Sequence, residues 1–182
     1  MKILGISGSL RGDSYNAKLL HAAGELVPSG FELELWDGLK AVPPYDADDD
    51  VEPLHEGVAR LRAALAAADA VLFATPEYNS SVPGQLKNAL DWASRPIATN
   101  VLRNKPVAVV GASTGAFGAV WAQAELRKVL AATGARVVEG EVAVGHAQER
   151  FDADGRLVDD QLREQLGEVV RGLAGAPVAS VA

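Results

Sequence analysis

Residues 2–16 read Lys2-Ile3-Leu4-Gly5-Ile6-Ser7-Gly8-Ser9-Leu10-Arg11-Gly12-Asp13-Ser14-Tyr15-Asn16. A short apolar run ends at glycine, a polar loop follows, and a helical pattern starts at Ser14. From there to residue 27, Leu19, Leu20, Ala23, Leu26 and Val27 recur at helical spacing. The rest of the chain repeats this strand–loop–helix plan. Residues 31–36 alternate Phe31, Leu33 and Leu35 with Glu32 and Glu34, the pattern of a half-exposed strand. After a loop over 37–50, residues 52–68 place Leu54, Val58, Leu61 and Leu65 on one helical face. Ala70–Thr75 and Pro106–Ala112 are continuously apolar strands, and 136–144 is strand-like. Gly84–Ala93, 119–133 and 159–173 carry helical patterns.

The resulting β-α-β-α-β-α-β-α-β-α order predicts an α/β fold: a doubly wound, five-stranded parallel sheet with helices on both faces. Strands that are apolar throughout, rather than alternating, fit burial on both faces. No repeat or linker interrupts the pattern, so residues 1–174 are expected to form one domain. The small residues of 175–182 are expected to fray. Ligands of such sheets lie beyond the strands' carboxyl ends.

Composition narrows the chemistry. Hydrophobic residues are 48% of the 182, ordinary for a globular chain that buries roughly 70% of its unfolded surface. The absence of cysteine excludes a disulfide framework, a thiolate nucleophile and Cys-ligated metals. A net charge of −7 argues against a nucleic-acid partner. No apolar run approaches the roughly 20 residues of a membrane helix. The amino terminus reads as a strand rather than a signal peptide, so a cytoplasmic location is expected.

Three loops follow the strands that should end at the ligand. The first, residues 8–16, has two glycines for tight turns. It also has Ser9, Ser14 and Asn16 as hydrogen-bonding side chains, Arg11 as a charged fork, and a helix amino terminus. A phosphate monoester fits it. A plain helix cap by Ser14 or Asp13 fits it too, and both readings stand at this point. Neither the Walker A nor the G-x-G-x-x-G pattern is present. The second loop runs Thr75-Pro76-Glu77-Tyr78-Asn79-Ser80-Ser81-Val82-Pro83-Gly84. Stiffened by prolines and carrying Tyr78 and Asn79, it suits the edge of a planar heteroaromatic ring, or equally a turn that covers the sheet. Glu77 reads as a structural hydrogen-bonder rather than a base. The third loop, residues 111–118, is small except for Phe117.

Together these motifs carry a resemblance. Gly8-Ser9-Leu10-Arg11-x-x-Ser14-x-Asn16, Pro76-Glu77-Tyr78-Asn79 and Pro83-Gly84-x-Leu86-Lys87-Asn88-Ala89-x-Asp91-Trp92 are similar to those of the NAD(P)H-dependent FMN reductases, which include bacterial quinone and chromate reductases. The likeness continues through Ala122-Gln123-x-x-Leu126-Arg127 and Phe151-Asp152-x-Asp154-Gly155.

The resemblance implies a flavodoxin-like sheet of order 2-1-3-4-5, non-covalent FMN, NADPH or NADH as cosubstrate, and a homodimer or homotetramer. It implies that Ser9, Arg11, Ser14, Tyr15 and Asn16 border the FMN phosphate. Pro76, Glu77, Tyr78 and Asn79 would border the ring on one side, and Ser113 and Gly115 on the other. It places Arg127 and Glu141 at a tetramer contact. Three positions depart from the family: Ala119 follows Gly118 where Gly-Gly is frequent, Trp121 stands in the place of an arginine, and Ser80 replaces a frequent glycine.

The expected activity is transfer of hydride from NAD(P)H through flavin to a quinone or similar small acceptor, with no catalytic side chain of its own. The alternatives are a flavodoxin-type electron carrier and a flavin-free phosphate-binding module. His21, His55 and His146 are scattered and expected to be solvated or capping. Asp46, Asp48, Asp49, Asp50 and Glu52 form a solvated acidic loop without metal-site spacing. Val82, Trp92 and Pro96 form an apolar cluster that is either core or a subunit interface beside the pocket.

Overall fold

The structure is a computed structural model that describes residues 1–176. From residue 177 the expected frayed tail lies outside the described residues. The elements are β1 (Lys2–Ser7), α1 (Tyr15–Gly24), β2 (Glu32–Trp36), α2 (Glu56–Ala67), β3 (Ala70–Thr75), α3 (Gly84–Ala93), β4 (Pro106–Ala112), α4 (Val120–Ala132), β5 (Arg136–Val137), β6 (Ala143–Val144) and α5 (Asp160–Gly175). Strands pair in the order β2-β1-β3-β4-β5, all parallel, and β6 also pairs β4. This is the doubly wound parallel sheet expected from the sequence, in the order that the family resemblance implies.

Successive side chains of a strand leave on opposite faces, and the core divides accordingly. Leu4, Ile6, Val71, Phe73, Val107 and Val109 meet Leu61 and Leu65 of α2, Leu86 and Leu90 of α3, and Leu126 and Leu130 of α4. Ile3, Leu72, Ala108 and Val110 meet Leu19 and Leu20 of α1 and Leu166 and Val170 of α5 on the other face. β3 and β4 are buried along their whole length, which is why their sequences are continuously apolar. Truncating Phe73, fully buried at the centre, would cost about 3–5 kcal/mol.

Three features differ from expectation. The fifth strand is broken. Val137 pairs with Val107 and Ala143 with Gly111, so five residues (138–142) lie opposite three of β4 (108–110). The backbone absorbs the excess at Gly140, at φ +128°. Arg127 of α4 fixes the bulge, its Nη2 donating to the carbonyls of Val109 (2.9 Å) and Gly140 (2.7 Å). Its guanidinium is thus engaged within its own chain, 4.0 Å from Glu141. Burial pulls the Arg127 pKa below its usual value, with Glu141 opposing.

The second difference concerns Trp92, which is 1% exposed. Its Nε1 donates to the Pro43 carbonyl (2.9 Å), and its ring meets Tyr45 edge-on at 4.9 Å. Trp92 is core, and the interface reading of the Val82–Trp92–Pro96 cluster loses its central member. Helix α2 begins only after Pro53 and Leu54, with His55 as its cap: the Gly57 N–H donates to His55 Nδ1 (3.1 Å).

Candidate functional site

The register places Ser7 beside Ala74, and Thr75 beside Gly111, so the three loops leave the sheet side by side. They meet closely. A Cβ at Gly8 would stand 2.9 Å from Leu86 Cδ2 and 3.2 Å from Pro76 Cδ, so a side chain there would push the first two loops apart.

Between the loops lies a cleft of about 140 Å³, lined by Ser9, Arg11, Ser14, Tyr15, Asn16, Pro76, Glu77, Tyr78 and Ser113. Ala112 and Thr114 also line it. Of the expected site residues, Asn79 and Gly115 stand outside the lining. Asn79 sits at the tip of the second loop, where Tyr78 and Ser81 exchange backbone hydrogen bonds of 3.2 and 3.1 Å. The two residues between them, Asn79 and Ser80, are left-handed at φ +53° and +60°. The Gly115 N–H donates to Ser113 Oγ (3.1 Å), which holds the third loop folded.

The first loop has the donors an oxyanion needs. Ser14 caps α1, its Oγ accepting from the N–H groups of Asn16 (3.2 Å) and Ala17 (3.4 Å). The cap reading is therefore realised, yet the hydroxyl proton is left to donate. Among the described residues, the N–H groups of Gly12, Asp13 and Tyr15 reach no acceptor. The exposed Arg11 side chain has neither a hydrogen-bond nor an ion-pair partner there. Asp13, which would repel an anion, pairs with Lys18 at 2.5 Å and stands outside the cleft lining. That pairing holds its carboxyl below the usual aspartate range. A dianionic phosphate at a helix amino terminus fits this set.

Asn16 has another task. Its Nδ2 donates to the Ala112 carbonyl and its Oδ1 accepts the Ala112 N–H, both at 3.0 Å. It is 2% exposed and ties α1 to the end of β4. Tyr15 stacks on Phe151 at 5.7 Å, with the Lys18 ammonium 5.1 Å from its ring centre.

Glu77 clamps the second loop to α4. That helix starts from Ala119, a left-handed residue (φ +64°) without a capping side chain. Glu77 Oε2 accepts the N–H groups of Trp121 and Ala122, each at 3.1 Å. It thus caps a helix from a distant loop. Glu125 of α4 returns the contact, accepting from the Ser81 hydroxyl (2.5 Å) and the Val82 N–H (3.4 Å). The Ser81 bond, then that of Val82, holds the Glu125 carboxyl below its usual range. Trp121 meets Phe117 edge-on at 5.0 Å, and both rings are largely exposed. Glu125 and Thr114 were not picked out from the sequence. Thr114 was within reach as a neighbour of Ser113; nothing local marks Glu125, whose partners lie more than forty residues away.

Comparison with known proteins adds four findings. The family described as NADPH-dependent FMN reductase matches over residues 1–149. An NAD(P)H-dependent FMN reductase of Pseudomonas aeruginosa is 46% identical over 174 residues, covering 95% of this chain and 93% of the relative. A 2-hydroxy-1,4-benzoquinone reductase of Burkholderia sp. is 41% identical, covering 91% of this chain and 90% of the relative. Among solved structures, the flavoenzyme NAD(P)H:(acceptor) oxidoreductase of Paracoccus denitrificans superposes with a TM-score of 0.82. It is 35% identical, with 95% of this chain and 97% of that one covered.

Proposed function

The chain belongs to the NADPH-dependent FMN reductase family, and we propose that it is a reductase that delivers electrons from NAD(P)H to quinones or similar small acceptors, with FMN held in the cleft beyond β1, β3 and β4. One observation carries the reading. The donor-rich first loop and the proline-stiffened second loop, far apart in sequence, line a single cleft. The relatives at 46% and 41% identity are reductases, which favours an enzyme over an electron carrier.

Bound FMN supplies two-electron transfer between nicotinamide and acceptor. The chain's own residues bind and orient. Arg11 and the N–H groups of Gly12, Asp13 and Tyr15 would hold the phosphate, and the Ser14 hydroxyl would donate to it. Pro76 and Tyr78 border the ring on one side and Ser113 on the other. Glu77 positions the second loop through α4 rather than moving a proton. FMN held there would be served by nicotinamide and acceptor in turn, at one shared place. Steady-state rates with NADPH and 1,4-benzoquinone should give parallel double-reciprocal lines; intersecting lines refute the shared place. In this reading the protein acts in the cytoplasm as a homodimer or homotetramer. The exposed Phe117–Trp121 pair supports assembly, and light scattering at micromolar concentration checks it. Among the described residues, no helix is long and apolar enough to cross a membrane.

The deciding experiment is flavin binding. Purified protein mixed with FMN should stay yellow after free flavin is removed by gel filtration, and should oxidise NADPH in the presence of benzoquinone. Arg11→Ala should weaken FMN binding about ten- to hundred-fold while the circular dichroism spectrum is kept, because a charge-assisted phosphate contact is worth about 1.5–3 kcal/mol. Unchanged flavin affinity would remove Arg11 from the site.

A further inference from the structure

A second cleft, of about 320 Å³, adjoins the first on its β2 side. The two share Ser9 and Arg11. Leu10, Leu35, Trp36 and Leu39 give the second an apolar lining, and Arg11 and Lys40 bring it two cations.

Trp36 is held in place. Its six-membered ring lies over Gly38, where a Cβ would come within 2.5 Å of Cζ2. The indole also packs against the core below, so one part of a flat aromatic surface is fixed while the rest lines the cleft. Lys40, at the exposed turn after β2, has no ion-pair partner among the described residues, and neither has Arg11. Asp37, the acidic residue of the lining, turns toward Arg60 of α2 at 3.7 Å. Arg11 serves the phosphate site of the first cleft, so Lys40 is the cation left to the second; in a chain of net charge −7, an unpaired lysine beside an apolar slot marks a place for a planar body that carries an anionic group.

We propose that this second cleft binds the adenosine end of the nicotinamide dinucleotide, its base against Trp36 and Leu39 and its ribose 2′-phosphate beside Lys40. The inference rests on the reductase reading above. A dinucleotide whose nicotinamide meets the flavin held in the first cleft needs a neighbouring place for its other end, and the second cleft adjoins the first at Ser9 and Arg11. Lys40 then makes the protein prefer NADPH to NADH.

The test uses FMN-loaded protein and adenosine 2′,5′-bisphosphate as the probe. By calorimetry the probe should bind, and in steady-state assays it should compete with NADPH. Lys40→Ala should weaken the probe about five-fold, the scale of a partly exposed ion pair, and raise KM for NADPH by the same factor at constant kcat. Lys40→Arg should restore most of both, and Lys128→Ala, a charge deletion on the exposed side of α4, should change neither. The proposal is overturned if Lys40→Ala binds the probe like the wild type, or if the probe displaces FMN and so occupies the phosphate loop instead. Failure of the reductase reading looks different: FMN-loaded wild-type protein would oxidise neither NADPH nor NADH with a quinone present.

Discussion

Glu77 stands beside the cleft of a redox enzyme, and two roles compete for it. The geometry assigns it to the amino terminus of α4, where it accepts two N–H groups at 3.1 Å that the capping residue Ala119 cannot serve. Loss of a cap costs about 1–2 kcal/mol, which for a chain of 182 residues lowers Tm by about 3–6 °C. Glu77→Ala should show that drop in a thermal melt followed by circular dichroism. Glu77→Gln keeps an acceptor and loses only the charge–dipole part, about 0.3–1 kcal/mol. The decisive number is kcat of Glu77→Gln. A capping residue predicts a change within about two-fold, whereas a general acid or base predicts a loss of about 10²–10⁴-fold. A Tm shift under about 1 °C for Glu77→Ala, or a hundred-fold loss of kcat for Glu77→Gln, would refute the capping role.

Two further perturbations test the same loop and helix. Ser80 and Ala119 both occupy left-handed backbone, so Ser80→Gly and Ala119→Gly should each raise Tm by about 1–4 °C, as relief of strain outweighs the added freedom of the unfolded chain; lower melting points would contradict this. The clamp made by Glu125 should depend on pH. Its folded pKa is lowered, so its stabilisation is complete above the unfolded value near 4.5 and fades as pH falls through the folded value. The Tm difference between wild type and Glu125→Gln should hold steady from pH 7 to about 5 and shrink in more acid solution; a difference that grows on acidification would exclude the mechanism.

The strands and helices were legible because burial leaves a local signature. Val71 to Ala74 lie between two helix layers and are apolar without a break, while Leu19 and Leu20 face one core and are spaced accordingly. The first loop was legible for a related reason: glycine, serine and arginine beside a helix start are chosen by backbone shape and by charge. What stayed hidden depends on partners far along the chain. Asn16 reads as a ligand of the loop until Ala112, 96 residues away, takes its amide. Trp92 reads as a possible interface until Pro43 and Tyr45 cover it. The break in the fifth strand was invisible because residues 136–144 alternate like a strand; only the five-against-three mismatch with β4 reveals it. Likewise Trp36 and Lys40 carry no motif, and their cleft exists only where two loops converge.

That break also bears on how the protein behaves in a crowded solution. The outer side of a sheet's last strand offers a row of unpaired N–H and C=O groups to any extended chain that drifts past. Here the row is interrupted. β5 and β6 are two residues each, and the kink at Gly140, held by Arg127, lies between them. A visiting strand would find two short footholds out of line with each other, too little to offset the entropy of ordering itself. At the opposite border, β2 carries the exposed carboxylates of Glu32 and Glu34, so a second β2 laid alongside would bring like charges together. Both borders of the sheet thus discourage sheet-to-sheet growth.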